Sequence, residues 1–86
     1  MKREKIKFSK HALAQMTQRG ISKAEVVEAI KTGEGVPVKK GRKAFRRNFA
    51  FESTWAGKFY HIKQVMPIIV EEKHQLIVVT AFSFYF

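Results

Sequence analysis

The sequence contains neither cysteine nor aspartate, and each absence excludes a class of chemistry. Without cysteine there are no disulfide bonds and no thiolate zinc sites. Without aspartate a Ser-His-Asp triad cannot be assembled. No apolar run approaches the ~18 residues of a membrane helix, and no apolar segment follows the first cations, so we expect no membrane anchor and no signal peptide. The expected location is the cytoplasm.

Acidic residues are few, and this imbalance indicates the class of partner. Seven Glu stand against seventeen Lys and Arg, which gives a formal charge of +10 on 86 residues. Such a density favours a polyanion, RNA above all. Anionic lipid is the weaker alternative because the cations do not lie on one amphipathic helix. Hydrophobic residues make up 45% of the chain, enough for one core, so we expect a single domain over residues 1–86.

The first half of the chain predicts two helices. Ser9 is placed to cap a helix over Lys10–Arg19, which a glycine then ends. Ser22 and Glu25 have the spacing of a capping box, which predicts a second helix over Lys23–Lys31.

Strand-forming residues dominate the second half. Residues 1–8 alternate in the manner of a short edge strand, and residues 32–43 form a basic, glycine-rich loop. Three β-rich runs follow at Ala44–Phe51, Lys58–Val70 and Gln75–Phe86, joined by short turns. We therefore expect an α+β domain in which two N-terminal helices pack on a three- or four-stranded antiparallel meander.

The aromatic C-terminal run has two interpretations. A central strand would place its aromatic residues under the helices. An edge strand would instead recruit a strand from a second copy or from an inhibitory antitoxin, which makes a homodimer through this strand one alternative.

A basic cluster and its aromatic neighbours form the candidate RNA-binding surface. Six cations fall within nine positions: Lys39, Lys40, Arg42, Lys43, Arg46 and Arg47. Contact with four to six phosphates would give a salt slope of roughly −3 to −4. We add Lys58 and Tyr60 to this set, since aromatic side chains in strands either stack on bases or belong to the core. The alternative is a solvated loop without a ligand.

The histidines favour proton transfer over metal binding. His11, His61 and His74 lie on separate predicted elements without metal-ligand spacing, so we expect no metal and no cofactor. RNA carries an internal nucleophile, its 2′-hydroxyl, and needs only an acid or base and a cation near the phosphate. His11 and Arg19, on one side of the first helix, supply both. The alternative is that His11 lies there by chance and that Arg19 only interacts with the helix dipole.

The segment Phe8–Gly33 resembles the prokaryotic domain of unknown function 4258 family, as do the segments Gly57–Val65, Pro67–Val70 and Val78–Phe82. That family has been proposed to share the fold of barnase, EndoU, colicin tRNases and RelE-type toxins. The resemblance implies a RelE/barnase-like domain, with helices on one sheet face and metal-free RNA cleavage on the other.

The resemblance also implies a set of catalytic residues. His11, Arg19, Lys63 and Thr80 match family positions, whereas Gln15 stands where many members carry arginine. We therefore predict a metal-independent endoribonuclease of toxin type. In it His11 is the acid or base, Arg19 and Lys63 stabilise charge, and Thr80 orients them.

Two other functions remain open at this point. One is a non-catalytic RNA- or ribosome-binding module, which Gln15 favours. The other is a DNA-binding domain that uses the second helix for recognition, although Glu25 and Glu28 suit a phosphate-lined groove poorly.

Overall fold

The computed structural model describes residues 5–86 of the chain. The elements are β1 (Lys5–Phe8), α1 (Lys10–Arg19), α2 (Lys23–Thr32), β2 (Glu34–Val36), β3 (Lys43–Trp55), β4 (Lys58–Glu72) and β5 (Gln75–Tyr85). The strand predicted over residues 1–8 corresponds to β1, and its first four positions lie outside the described residues. Neither helix of this described part is long and apolar enough to cross a membrane.

The strands form one mixed sheet in the order β1-β5-β4-β3-β2. β1 is parallel to β5, whereas the other neighbouring pairs are antiparallel. The predicted three- or four-stranded antiparallel meander following two N-terminal helices is therefore wrong. The helices lie between strands in the chain, and two short edge strands extend the sheet. One of these, β2, lies within the predicted loop over residues 32–43, where three residues are too few to show a strand pattern.

Local capping explains why α1 has the predicted bounds. The Ser9 side chain accepts a hydrogen bond from the Ala12 N–H at 3.0 Å, which satisfies one of the free donors of the first turn. Gly20 ends the helix in the left-handed region, with φ of 69°. Its backbone N–H is directed to the carbonyl groups of Met16 and Thr17. The predicted helix over Lys10–Arg19 is confirmed.

A capping box fixes the start of α2 in the same way. The Ser22 N–H donates to Glu25 Oε1 at 2.9 Å, and the Glu25 N–H donates to Ser22 Oγ at 3.1 Å. The predicted capping box is confirmed, and α2 extends one residue further than predicted, to Thr32. Both caps depend only on residues a few positions apart.

The core lies between the helices and one side of the sheet, which we call the covered face. Its buried members are Ala12, Met16, Ile21, Val26, Val65, Ile69, Val78 and Ala81. Successive strand residues point to opposite faces, so alternate residues of β4 face the helices. A register shift between Ile68 and Ile69 lets Val78 and Ala81 of β5 both belong to this core.

The opposite side carries no helix, and we call it the open face. Residues of β4 and β5 with the other parity lie here, among them Ile62, Met66, Thr80, Phe82 and Phe84.

The aromatic end of β5 is divided between the two faces. Tyr85 lies on the covered face, where its hydroxyl reaches the carbonyl group of Arg19. Phe84 and Phe86 remain 44% and 54% exposed. The interpretation that places all these aromatic residues under the helices is therefore wrong for Phe82, Phe84 and Phe86, because strand alternation turns them to the open face.

Candidate nucleic-acid site

The N-terminal end of α1 is attached to β5 beyond the point where β1 ends. The Ser9 N–H donates to the Val78 carbonyl at 3.0 Å, and the Ser9 hydroxyl donates to the Val79 carbonyl at 3.4 Å. Ser9 therefore both caps α1 and holds it against the free edge of β5. As a result, α1 lies beside the part of β5 that extends past the end of β1.

The C-terminal end of α1 is attached to β5 as well. Ser83 Oγ and the Tyr85 hydroxyl both donate to the Arg19 carbonyl, at 3.0 and 2.8 Å. A ten-residue helix spans ~15 Å and a strand rises ~3.3 Å per residue, so α1 matches the length of β5 between its two attachment points. Both attachments hold α1 in one position beside the open face.

The polar side of α1 forms one row beside the open face. His11, Gln15 and Arg19 follow one another at intervals of four residues and therefore share one side of the helix. Arg19 Nη1 donates to the Ala81 carbonyl at 2.8 Å, and the guanidinium carbon lies 4.8 Å from the centre of the Phe82 ring. The guanidinium is thus held in place by neutral groups and keeps its full charge for a ligand.

A groove of about 520 Å³ runs between this row and β5. Its lining residues are His11, Gln15, Arg19, Arg42, Val79, Thr80 and Phe82. The groove combines one imidazole, two guanidinium groups, a hydroxyl and an amide. Such a set of hydrogen-bond donors suits an anionic oxygen ligand such as a phosphodiester.

Arg42 reaches the groove from the segment between β2 and β3. Its N–H donates to the Lys39 carbonyl at 3.1 Å, which closes a turn just before β3 begins. Ala44, two residues later, is only 2% exposed. The predicted basic loop therefore supplies one cation to a site whose other cation comes from α1.

Three of the four predicted catalytic residues, His11, Arg19 and Thr80, line this groove, and Lys63 does not. Lys63 lies on the covered face and is 5% exposed. Its ammonium group donates to the carbonyl of Gly20 and forms an ion pair with Glu25 at 2.8 Å. A residue buried and paired in this way stabilises the fold and does not contact a ligand in the groove.

The structure distributes the rest of the predicted RNA-binding set over several surfaces. Lys43 pairs with Glu71 at 3.0 Å, and Arg46 pairs with Glu34 at 2.9 Å. The neighbour of Arg46 in the chain, Arg47, points to the covered face. These contacts reduce the charge that the cluster can offer to one ligand.

The remaining members of that set have no shared location either. Arg47 donates to Thr32 Oγ1 at 2.7 Å and lies 5.4 Å from the centre of the Phe49 ring. Lys58 lies 5.7 Å from the centre of the Tyr60 ring, at the far end of β4. Lys39 and Lys40 are exposed in the loop before β3.

Histidines and carboxylates do not converge in the described part of the chain. Residues 5–86 contain no group of three or more such side chains that could hold a metal ion. His61 instead contacts a single carboxylate, that of Glu52, at 3.0 Å on the exposed end of the β3–β4 hairpin. The groove therefore contains His11 without a neighbouring carboxylate cluster.

Three lining residues, Gln15, Val79 and Phe82, are absent from the predicted site set, although the sequence contains a signal for two of them. Gln15 lies one helical turn after His11 and one before Arg19. Phe82 follows Thr80 by two positions, so both point to the same face of β5.

The chain belongs to the family described as a domain of unknown function, DUF4258, whose model matches residues 8–83. This match confirms the resemblance found in the sequence. No curated protein and no solved structure is similar enough to this chain to count as a match.

Proposed function

We propose that the groove binds the phosphodiester backbone of RNA and that the protein is an endoribonuclease of toxin type that does not depend on a metal ion. The observation that carries the proposal is the convergence of His11, Arg19, Arg42 and Thr80 in one open groove. These residues come from a helix, a loop and a strand that are far apart in the sequence. Their convergence therefore depends on the fold and not on a local basic run.

The proposed reaction uses the 2′-hydroxyl of RNA as its nucleophile. The His11 imidazole accepts the 2′-hydroxyl proton while the 2′-oxygen forms a bond to phosphorus. The bond between phosphorus and the 5′-oxygen breaks, and the imidazolium returns the proton to that leaving oxygen. The products are a 2′,3′-cyclic phosphate and a 5′-hydroxyl, and no other reactant is consumed.

The two guanidinium groups have separate roles in this scheme. Arg19 is held by the Ala81 carbonyl and the Phe82 ring, so its charge is in place before the phosphate arrives. Arg42 enters from a loop and binds the neighbouring phosphate oxygen. The Thr80 hydroxyl donates to the same phosphate and orients it.

A non-catalytic RNA-binding function is the second candidate. The lining residues of the groove include one imidazole and, at Gln15, an amide that transfers no proton near neutral pH. A site with one proton-transfer group binds a phosphodiester as well as a catalytic site does. The two functions differ only in whether His11 moves a proton.

The proposed activity also implies a cellular location and a protein partner. Cellular RNA as the substrate places its action in the cytoplasm. A chain that cleaves the RNA of its own cell requires restraint, so an antitoxin that covers the groove is part of the proposal.

The test is incubation of the purified protein with total RNA, with and without EDTA, followed by analysis of the RNA ends. We expect cleavage in both conditions and 2′,3′-cyclic phosphate ends. His11→Ala should lower the rate by about 10²- to 10⁴-fold, as expected for loss of a general acid-base group. Its unfolding midpoint should stay unchanged because His11 is exposed.

His74→Asn is the matched control, because His74 is an exposed histidine in the β4–β5 turn with a positive φ that asparagine tolerates. It should cleave at the wild-type rate. Cleavage by His11→Ala at the wild-type rate would reject the catalytic role. RNA binding without cleavage by the wild type would select the second candidate.

A further inference from the structure

We infer that the open face continues the groove as a stacking surface for unpaired RNA bases, formed by the exposed rings of Phe84, Phe86 and Phe59. This inference rests on the proposed function and names its substrate class, single-stranded RNA. The sequence favoured Tyr60 for stacking and included Phe59 among the candidates, whereas the direction and exposure of these three rings are structural observations.

Strand alternation establishes the direction of all three rings. Tyr85 points to the covered face, where its hydroxyl bonds to the Arg19 carbonyl, so its neighbours Phe84 and Phe86 point to the open face. Tyr60 lies 5.6 Å from the ring of Tyr85 and shares its side of the sheet. The N–H groups of His61 and Ile62 both donate to the Phe86 carbonyl, which is the pattern of a β-bulge and reverses the parity of β4 at this point. Phe59, next to Tyr60, therefore points to the open face as well.

These rings are unusually accessible for their size. Phe59, Phe84 and Phe86 are 52%, 44% and 54% exposed. Large apolar side chains that lie together on a surface typically mark a binding site. Flat aromatic rings at successive exposed positions suit the faces of nucleobases, on which stacking tolerates any sequence.

The rings form a path that begins at the groove. Phe82 lines the groove under Arg19, and Phe84 follows it by two residues, ~6.6 Å along the same face of β5. Phe86 exchanges backbone hydrogen bonds with Ile62, at 2.7 and 3.0 Å, which brings β4 alongside. A strand whose phosphate occupies the groove can therefore extend its neighbouring nucleotides over Phe84 and Phe86.

The far end of the path contains a third ring. Phe59 packs edge-on against His61, with ring centres 5.2 Å apart. Aromatic rings at several exposed positions of one surface repeat the stacking arrangement that holds single strands on other protein surfaces.

Other occupants fit this surface less well. The faces of paired bases are hidden inside a duplex, so only unpaired bases can stack on the rings. A second copy of this chain would bring together two molecules of charge +10, which repel each other. RNA satisfies both the apolar rings and the positive charge.

The experiment measures binding of two probes by fluorescence anisotropy. One is a 2′-O-methylated single strand of about eight nucleotides, within the usual site size, and the other is an abasic strand of equal length. Methylation blocks cleavage, so binding is measured apart from catalysis. The wild type should bind the strand with bases at least tenfold more tightly, the loss typical of one stacked base.

The variants separate stacking from other apolar contacts. The double variant Phe84→Ala with Phe86→Ala should lose most of the preference for bases, since only Phe59 of the three rings remains. Phe84→Trp should keep the full preference, whereas Phe84→Leu should lower it. Leu13→Ala is the matched control, because Leu13 is 37% exposed and lies on the side of α1 away from the groove. It should behave as the wild type.

Three outcomes would overturn the inference. In the first, the wild type binds the abasic probe as tightly as the probe with bases. In the second, Phe84→Leu matches Phe84→Trp, which would indicate an apolar protein partner. In the third, Phe84→Ala abolishes self-association in sedimentation but leaves RNA affinity unchanged, which would assign the surface to a second copy.

These results are independent of catalysis. Loss of cleavage in His11→Ala together with unchanged RNA binding in the Phe variants would keep the proposed function and reject the stacking surface. A wild type that binds the strand with bases more tightly but does not cleave RNA would keep the stacking surface and reject the proposed cleavage activity.

Discussion

Lys63 on the covered face and Arg19 beside the open face are held by opposite kinds of partner. On the covered face, Lys63 is buried and forms an ion pair with Glu25, so its charge is neutralised within the fold. Beside the open face, Arg19 is held by the carbonyl of Ala81 and by the Phe82 ring, which carry no net charge. A neutral acceptor fixes the position of a cation without cancelling its charge. Availability for a ligand is therefore decided by the partner of each cation.

The largest expected effect is a loss of stability on the covered face, where the partner of Lys63 can be removed. Glu25→Gln removes the counter-charge of Lys63, while the side-chain carbonyl of glutamine can still accept the capping hydrogen bond from the Ser22 N–H. A buried ammonium group without its partner is strongly unfavourable. We expect the free energy of unfolding, measured in urea, to fall by about 2–3 kcal/mol.

The controls for this prediction are a double variant and an exposed pair. Removal of both charges, by Glu25→Gln with Lys63→Met, should restore most of the lost stability. Glu34→Gln breaks the exposed pair with Arg46 and should cost less than about 0.5 kcal/mol. A Glu25→Gln protein as stable as the wild type would contradict the distinction between Lys63 and Arg19.

A smaller effect is expected at Tyr85, also on the covered face. Tyr85→Phe removes the hydrogen bond to the Arg19 carbonyl and should lower the free energy of unfolding by about 1 kcal/mol at neutral pH. Burial raises the pKa of the Tyr85 hydroxyl, a hydrogen bond with Ser83 offsets part of the increase, and the charge of Glu25 adds to it.

The raised pKa of Tyr85 predicts a pH dependence. Folding favours the protonated hydroxyl, so its contribution is complete below the ordinary tyrosine pKa of about 10 and is lost as the pH rises through the higher folded value. Stability of the wild type should therefore fall more steeply than that of Tyr85→Phe in urea unfolding above about pH 10. Parallel pH profiles for both proteins would show that the hydroxyl is equally hydrated in the folded and unfolded chains.

The smallest expected effect concerns the salt dependence of RNA affinity and compares two adjacent cations, Arg42 and Lys43. Arg42 lines the groove, whereas Lys43 points to the covered side of the sheet and pairs with Glu71. Arg42→Gln should flatten the dependence of log affinity on log salt by about one unit, the effect of one lost phosphate contact. Lys43→Gln, the matched control in filter binding, should leave the slope unchanged. Equal slopes in the two variants would remove Arg42 from the site.

The sequence by itself determined the two helices and their caps. Ser9 with Ala12 and Ser22 with Glu25 interact over three residues, so both helix starts can be predicted from neighbours in the chain. The motifs also identified the family and, through it, His11, Arg19 and Thr80 of the groove, and the basic run included Arg42.

Only the tertiary structure decided which residues meet. Lys63 and Thr80 look equally suitable in the sequence, yet strand pairing places Lys63 under α2 and Thr80 beside α1. The parallel pairing of the predicted edge strand with β5 and the exposure of Phe84 were equally unreadable. The physical reason is that strand order, register shifts and the face of a side chain depend on pairings between distant segments, whereas helix caps depend on a few neighbouring residues.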